Sequence, residues 1–65
     1  MENFSCKTLR CVKDSTMFSE GNLYYCFADD GNIFWIHAPW LEETLGVNQI
    51  KCPNFLRDNF VNLKD

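Results

Sequence analysis

Four cysteines, one histidine and two adjacent pairs of carboxylates are the residues of this 65-residue chain with the types to do chemistry. Cys6, Cys11, Cys26 and Cys52 raise three possibilities: a zinc site, disulfides, or buried thiols acting as small hydrophobes. Zinc sites draw their ligands from short knuckles with roughly two to four residues between cysteines. Cys6 and Cys11 have that spacing, but Cys26, His37 and Cys52 stand alone, so no second knuckle exists. In a reducing compartment the cysteines stay thiols. Buried thiols are the reading this spacing favours, and neither a metal nor another cofactor is expected.

A nucleophilic pair assembles only from Cys26 and His37, on neighbouring segments. Nothing nearby supplies an orienting acid or a helix terminus to lower the thiol pKa. Asp29-Asp30 and Glu42-Glu43 are sequence neighbours, and read as turn and helix-surface charge rather than as an acid–base couple. No glycine-rich phosphate loop is present. These observations predict a protein that is not an enzyme, with no catalytic residues.

The elements that position these residues centre on Leu23-Tyr-Tyr-Cys-Phe-Ala-Asp-Asp-Gly-Asn-Ile-Phe-Trp-Ile-His37. Two aromatic-rich, β-favouring runs flank Asp30-Gly31, a dipeptide suited to a two-residue hairpin turn. With Asp30 and Gly31 as the loop, Phe27 faces Phe34, Cys26 faces Trp35 and Tyr24 faces His37. Directly opposed residues share a face. The expected core face is then Leu23, Tyr25, Phe27, Phe34, Ile36 and Ala38. The other face is Tyr24, Cys26, Ala28, Ile33, Trp35 and His37, and a one-residue slip exchanges part of these sets.

Around the hairpin, Thr8 to Lys13 alternates as a first strand with Leu9 and Cys11 inward. Met17 and Phe18 are expected to tuck back from the following loop, and Gly21 to supply a positive backbone angle. Pro39 to Gly46 reads as a short helix, with proline in its first turn, Glu42 and Glu43 near its positive end and Gly46 at its stop. Val47 to Cys52 is a weak strand, and Phe55-Leu56-Arg57 a helical turn. Asn59 to Leu63 is a last strand with Phe60 inward. One domain spans residues 1–65, with residues 1–5 a loose tail.

Hydrophobic residues make up 46% and aromatic residues 15% of the chain, enough for a compact fold near the lower size limit. Six basic against nine acidic residues, a net charge of -3, argue against duplex binding. Lys7, Arg10 and Lys13 form no single patch, because Arg10 alternates to the opposite side of a strand. No window approaches the ~20 apolar residues of a membrane span. Met1 to Lys7 has neither a basic start nor an apolar run, so a cytoplasmic chain is expected.

Arg10-Cys-Val-Lys-Asp14, Phe18-Ser-Glu-Gly21, Tyr24-Tyr25, Asp29-Asp-Gly-Asn32 and Phe60-Val-Asn-Leu63 together resemble the short SH3-like proteins common in phage and bacterial genomes. The resemblance covers most of the chain and departs from the family pattern at Pro39 to Pro53, a longer link that carries Trp40. It implies a mainly β fold, an SH3-like five-stranded small barrel with one short helical insertion at about residues 40–45. It also implies a phage origin, the host bacterial cytosol and a non-enzymatic role.

The expected function is a protein-binding module, a phage-encoded inhibitor or modulator of a host protein acting in host takeover. Its expected contacts are Tyr24, Trp35 and His37 beside Trp40, because Tyr and Trp bury much area at low entropic cost. Residues 40–52 folding over that face would bury it instead. A single-stranded nucleic-acid binder is the alternative, with Tyr24 and Trp35 as stacking platforms and Arg10 or Lys51 on phosphates. The acidic balance counts against it. A homodimer through an apolar face is compatible with the first reading.

Overall fold

The β-branched and aromatic runs form the strands expected of them. The computed structural model describes residues 3–63. Five strands, β1 (Lys7–Cys11), β2 (Leu23–Asp29), β3 (Ile33–His37), β4 (Gln49–Pro53) and β5 (Phe60–Asn62), make one antiparallel sheet in the order β4-β3-β2-β1-β5. No ladder joins β4 to β5, so the sheet has two edges. One short helix, α1 (Glu42–Leu45), follows a 3-10 turn at Pro39–Leu41, and a second 3-10 turn, Asn54–Asn59, leads into β5. Gly46 ends α1 at φ 70°, its N–H donating to the Glu42 carbonyl at 3.1 Å.

The hairpin turns one residue later than expected. Asp30 N–H donates to the Ile33 carbonyl at 3.1 Å, so Gly31 and Asn32 are the loop residues, with Gly31 at φ 93°. Two aspartates fix this choice. The Asp29 carboxylate accepts from Gly31 N–H, and the Asp30 carboxylate accepts from Asn32 and Ile33 N–H at 2.8 Å each. Such Asx bonds compete well with other turn geometries.

A bulge then shifts the ladder again. Asp29 pairs with Phe34 and Ala28 with Trp35, but Cys26 pairs with Ile36, leaving Phe27 as the extra residue. The combined slip corrects the expected faces on β2 while preserving them on β3. Phe34, Ile36 and Ala38 are fully buried, as expected. On β2 the inward residues are Tyr24, Cys26 and the Asp29 side chain, whereas Leu23, Tyr25 and Phe27, expected inside, are exposed.

The core gathers Phe4, Leu9, Cys11, Phe18, Tyr24, Cys26, Phe34, Ile36, Cys52 and Phe60, with Ile50 and Leu56 packed against it. Phe18 tucks in as expected, while its neighbour Met17 stays 40% exposed. The described part of the expected loose tail is anchored. Phe4 is buried, and its N–H donates to the Asp29 carboxylate at 2.7 Å. Residues 1 and 2 of that tail lie outside the described residues.

Asp29 and Arg57 bring three segments together. The Arg57 guanidinium donates to both Asp29 carboxylate oxygens, at 2.7 and 2.9 Å, and its Nε donates to the Asn54 side chain at 2.7 Å. The guanidinium carbon lies 5.1 Å from the Phe4 ring centre and 5.0 Å from that of Phe34. This planar cation is suited both to a two-pronged carboxylate bond and to stacking on rings. The Arg57 bonds, opposed by burial and helped by the N–H donors of Phe4 and Gly31, hold the Asp29 carboxyl well below its usual range. The hairpin tip, the N-terminal segment and the second 3-10 turn thereby share one buried polar centre.

Candidate functional site

Strand alternation sorts the side chains onto an inner and an outer sheet face. Outward positions are Thr8 and Arg10 on β1, Leu23, Tyr25, Phe27 and Ala28 on β2, and Ile33, Trp35 and His37 on β3. Gln49, Lys51 and Pro53 on β4 and Val61 on β5 complete them. Leu23 (56% exposed), Tyr25 and Phe27 stand in solvent with Val61, while Trp35 is half-buried. Trp35 pairs with Lys51 on one side and Ala28 on the other; Arg10 lies between Leu23 and Val61. No carboxylate occupies an outward position among the described strand residues, although acids outnumber bases in the whole chain.

The four expected contact residues fall in two places. Trp35 and His37 share the outer face, with His37 exposed and Trp35 half-buried. Tyr24 is not on that face: it points inward at 9% exposure. Its ring packs edge-on against Phe18 at 5.0 Å and Phe60 at 6.1 Å, and its hydroxyl accepts from Ser19 N–H at 2.9 Å. Trp40 joins Tyr24 rather than Trp35, with ring centres 5.7 Å apart, and remains 48% exposed. Met17, Ser19, Asn22 and Leu23 complete a cleft of about 410 Å³ around these two rings. From Gln49 the segment 40–52 extends the sheet as β4 beside β3, and Leu23, Tyr25, Phe27 and His37 stay exposed.

Tyr25 and Phe27 are the surface aromatics that the expected register hid. Their signal was present in sequence only as the second apolar set of the same hairpin. Cys6 lies beside Tyr25, and the neighbouring thiol raises the phenol above its ordinary value. Cys6 itself is exposed and adopts φ 60°, a left-handed conformation that side chains rarely take.

The nucleophilic pair considered and set aside in the sequence, Cys26 with His37, does not meet. Cys26 is fully buried on the inner face, donating to the Ala28 carbonyl at 3.2 Å, and His37 lies on the outer one. Burial raises the Cys26 thiol and pushes Cys52 up to about 12, so both stay protonated and weakly reactive. Cys11, Cys26 and Cys52 are free thiols filling the core. Among the described residues no three His, Cys, Asp or Glu side chains gather as a metal site. No described helix is long and apolar enough to cross a membrane. No family model, curated protein or solved structure matches the chain.

Proposed function

We propose that this chain is a non-enzymatic protein-binding module whose contact surface is the outer face of its sheet. The observation that carries the reading is the outward row of Leu23, Tyr25, Phe27, Trp35 and Val61, interrupted only by polar and basic residues. Small monomers rarely gather several large exposed apolar side chains on one face without a use for them. Aromatic rings beside an arginine are the composition of an interface. Trp35 and His37 belong to this surface; Tyr24 acts from beneath as support for Trp40.

The strand order and the 3-10 turn before β5 support an SH3-like arrangement, and the resemblance in sequence points the same way. In that reading the chain is a phage-encoded inhibitor or modulator of a host bacterial protein, and Pro39 to Pro53 is the part elaborated on the scaffold. Loops and insertions are where scaffolds acquire specific contacts. Affinity capture from bacterial lysate tests the proposal, with Trp35→Ala and Tyr25→Ala as controls. A specific protein retained by the native chain and lost by both variants, at unchanged melting temperature, supports it. Equal capture by all three chains overturns it.

One observation favours a second reading, single-stranded nucleic-acid binding. Tyr25, Phe27 and Trp35 offer ring faces, with Arg10 and Lys51 on the same face and no carboxylate at its described strand positions. This replaces Tyr24, which is inside, as a stacking platform. Anisotropy of a labelled oligothymidine at low salt decides it, because such binding weakens steeply as salt rises.

A further inference from the structure

We infer that the outer edge of β4 docks an extended segment of a partner protein, which pairs along it as a sixth strand. The inference rests on the reading of the chain as a protein-binding module and says where the partner's backbone lies. Ala38 N–H donates to the Asn48 carbonyl at 2.7 Å, which sets the alternation of the β3–β4 ladder. Its hydrogen-bonded pairs are therefore Ile36 with Ile50 and Phe34 with Cys52. Gln49, Lys51 and Pro53 occupy the alternate positions, opposite His37, Trp35 and Ile33. The main-chain groups of these three residues point away from the sheet. Pro53, with no N–H to offer, suits the last of them and ends the run.

A groove of about 310 Å³ runs beside this edge, lined by Met17, Phe18, Ile50, Lys51, Phe55 and Leu56. Phe55 is 78% exposed and Met17 40%. Natural proteins blunt an edge strand with a cover, a bulge, a lysine or a proline. β4 carries Lys51 and Pro53, which limit pairing to the short run from Gln49 to Lys51, and the surface beside that run is apolar. An added strand would bond to the Gln49 and Lys51 main chain. Its alternate side chains would enter the groove against Met17 and Phe55, and the intervening ones would face Lys51 on the outer side. The matching segment is thus extended, with apolar residues at every second position and a carboxylate between them.

Selection of displayed random heptapeptides on the full-length chain tests this. The expected winners carry alternate apolar residues and slow hydrogen exchange at the Gln49 and Lys51 amides. Lys51→Pro removes an outward N–H together with the side-chain cation, Gln49→Pro removes an outward N–H with no change of charge, and Phe55→Asp spoils the groove; each should weaken binding roughly tenfold, the loss expected of a hydrogen bond or an apolar anchor. Should Lys51→Pro disturb folding, the winning peptide methylated on its pairing nitrogens makes the same deletion from the other side. Binding that survives both the proline and the methylation, with exchange unchanged, overturns the inference. So does a protein mass that doubles with concentration and reverts in Phe55→Asp, because the occupant is then a second copy of this chain. Peptides lost only in Trp35→Ala sink the edge while leaving the binding module standing. Neither peptide enrichment nor lysate capture would sink both.

Discussion

The two ends of this small core are closed by different means. At the hairpin tip, Asp29 and Arg57 form a buried ion pair between the rings of Phe4 and Phe34. At the opposite end, Phe18 stacks edge-on with Tyr24 and Phe60, each at 5.0 Å, and Trp40 leans on Tyr24 from outside. Phe34 and Phe60, 5.8 Å apart, connect them. The ionic end works as a unit, since a buried charge is tolerable only while its partner is present. The ring-stacked end is graded, since each ring adds dispersion and burial of its own and the outermost one is half in water. A domain of this length has a total stability of roughly 3–10 kcal/mol, so either end can decide whether it folds.

Breaking the link between the ends should cost most. Phe34→Ala removes a fully buried ring that touches both, for a loss of about 3–5 kcal/mol by denaturant unfolding. Arg57→Ala should cost nearly as much, about 3–5 kcal/mol, because Asp29 is left charged and enclosed. Replacing both partners, Asp29→Leu with Arg57→Met, should recover a large share of that loss; a double variant as unstable as the sum would contradict an ionic unit. Trp40→Ala at the graded end should cost only about 1 kcal/mol, the worth of one aromatic pair on a half-exposed ring.

Acid sharpens the same contrast. Folded Asp29 takes its proton at lower pH than the unfolded chain does, so the unfolded state is the first to bind protons on acidification. The Asp29 contribution is complete above the unfolded carboxylate range, about pH 4, and drains away as pH falls toward the folded value. Melting temperature against pH should show this slope in the native chain and a flatter one in Asp29→Asn, with Trp40→Ala parallel to native. At the smallest end of the scale, Tyr25→Ala and Phe27→Ser on the outer face should shift stability by no more than about 0.5 kcal/mol. Large losses there would mean that the face belongs to the fold and not to a partner.

The strands themselves were legible because their composition and turn residues agree locally. Leu9 and Cys11 alternate inward, Phe60 closes the sheet, and Gly46 stops the helix at a left-handed angle. The faces of β2 were not legible, since Leu23-Tyr-Tyr-Cys-Phe-Ala is apolar at every position and hydrophobic pattern sets register only when one face is polar. The deciding interaction is the Asp29 carboxylate turned inward to Arg57, 28 positions away along the chain. No local pattern reports a pairing over that distance. The same slip moved Tyr24 from the candidate surface to the interior and released Tyr25 and Phe27 in its place.

Cys6, perched at its left-handed bend next to the Tyr25 phenol, has a practical corollary. The other three thiols are sealed in the interior, so a maleimide dye applied to the native protein should attach at a single point. That point adjoins the aromatic surface. The unaltered chain therefore carries its own attachment site for an optical reporter, positioned to register whatever settles on those rings.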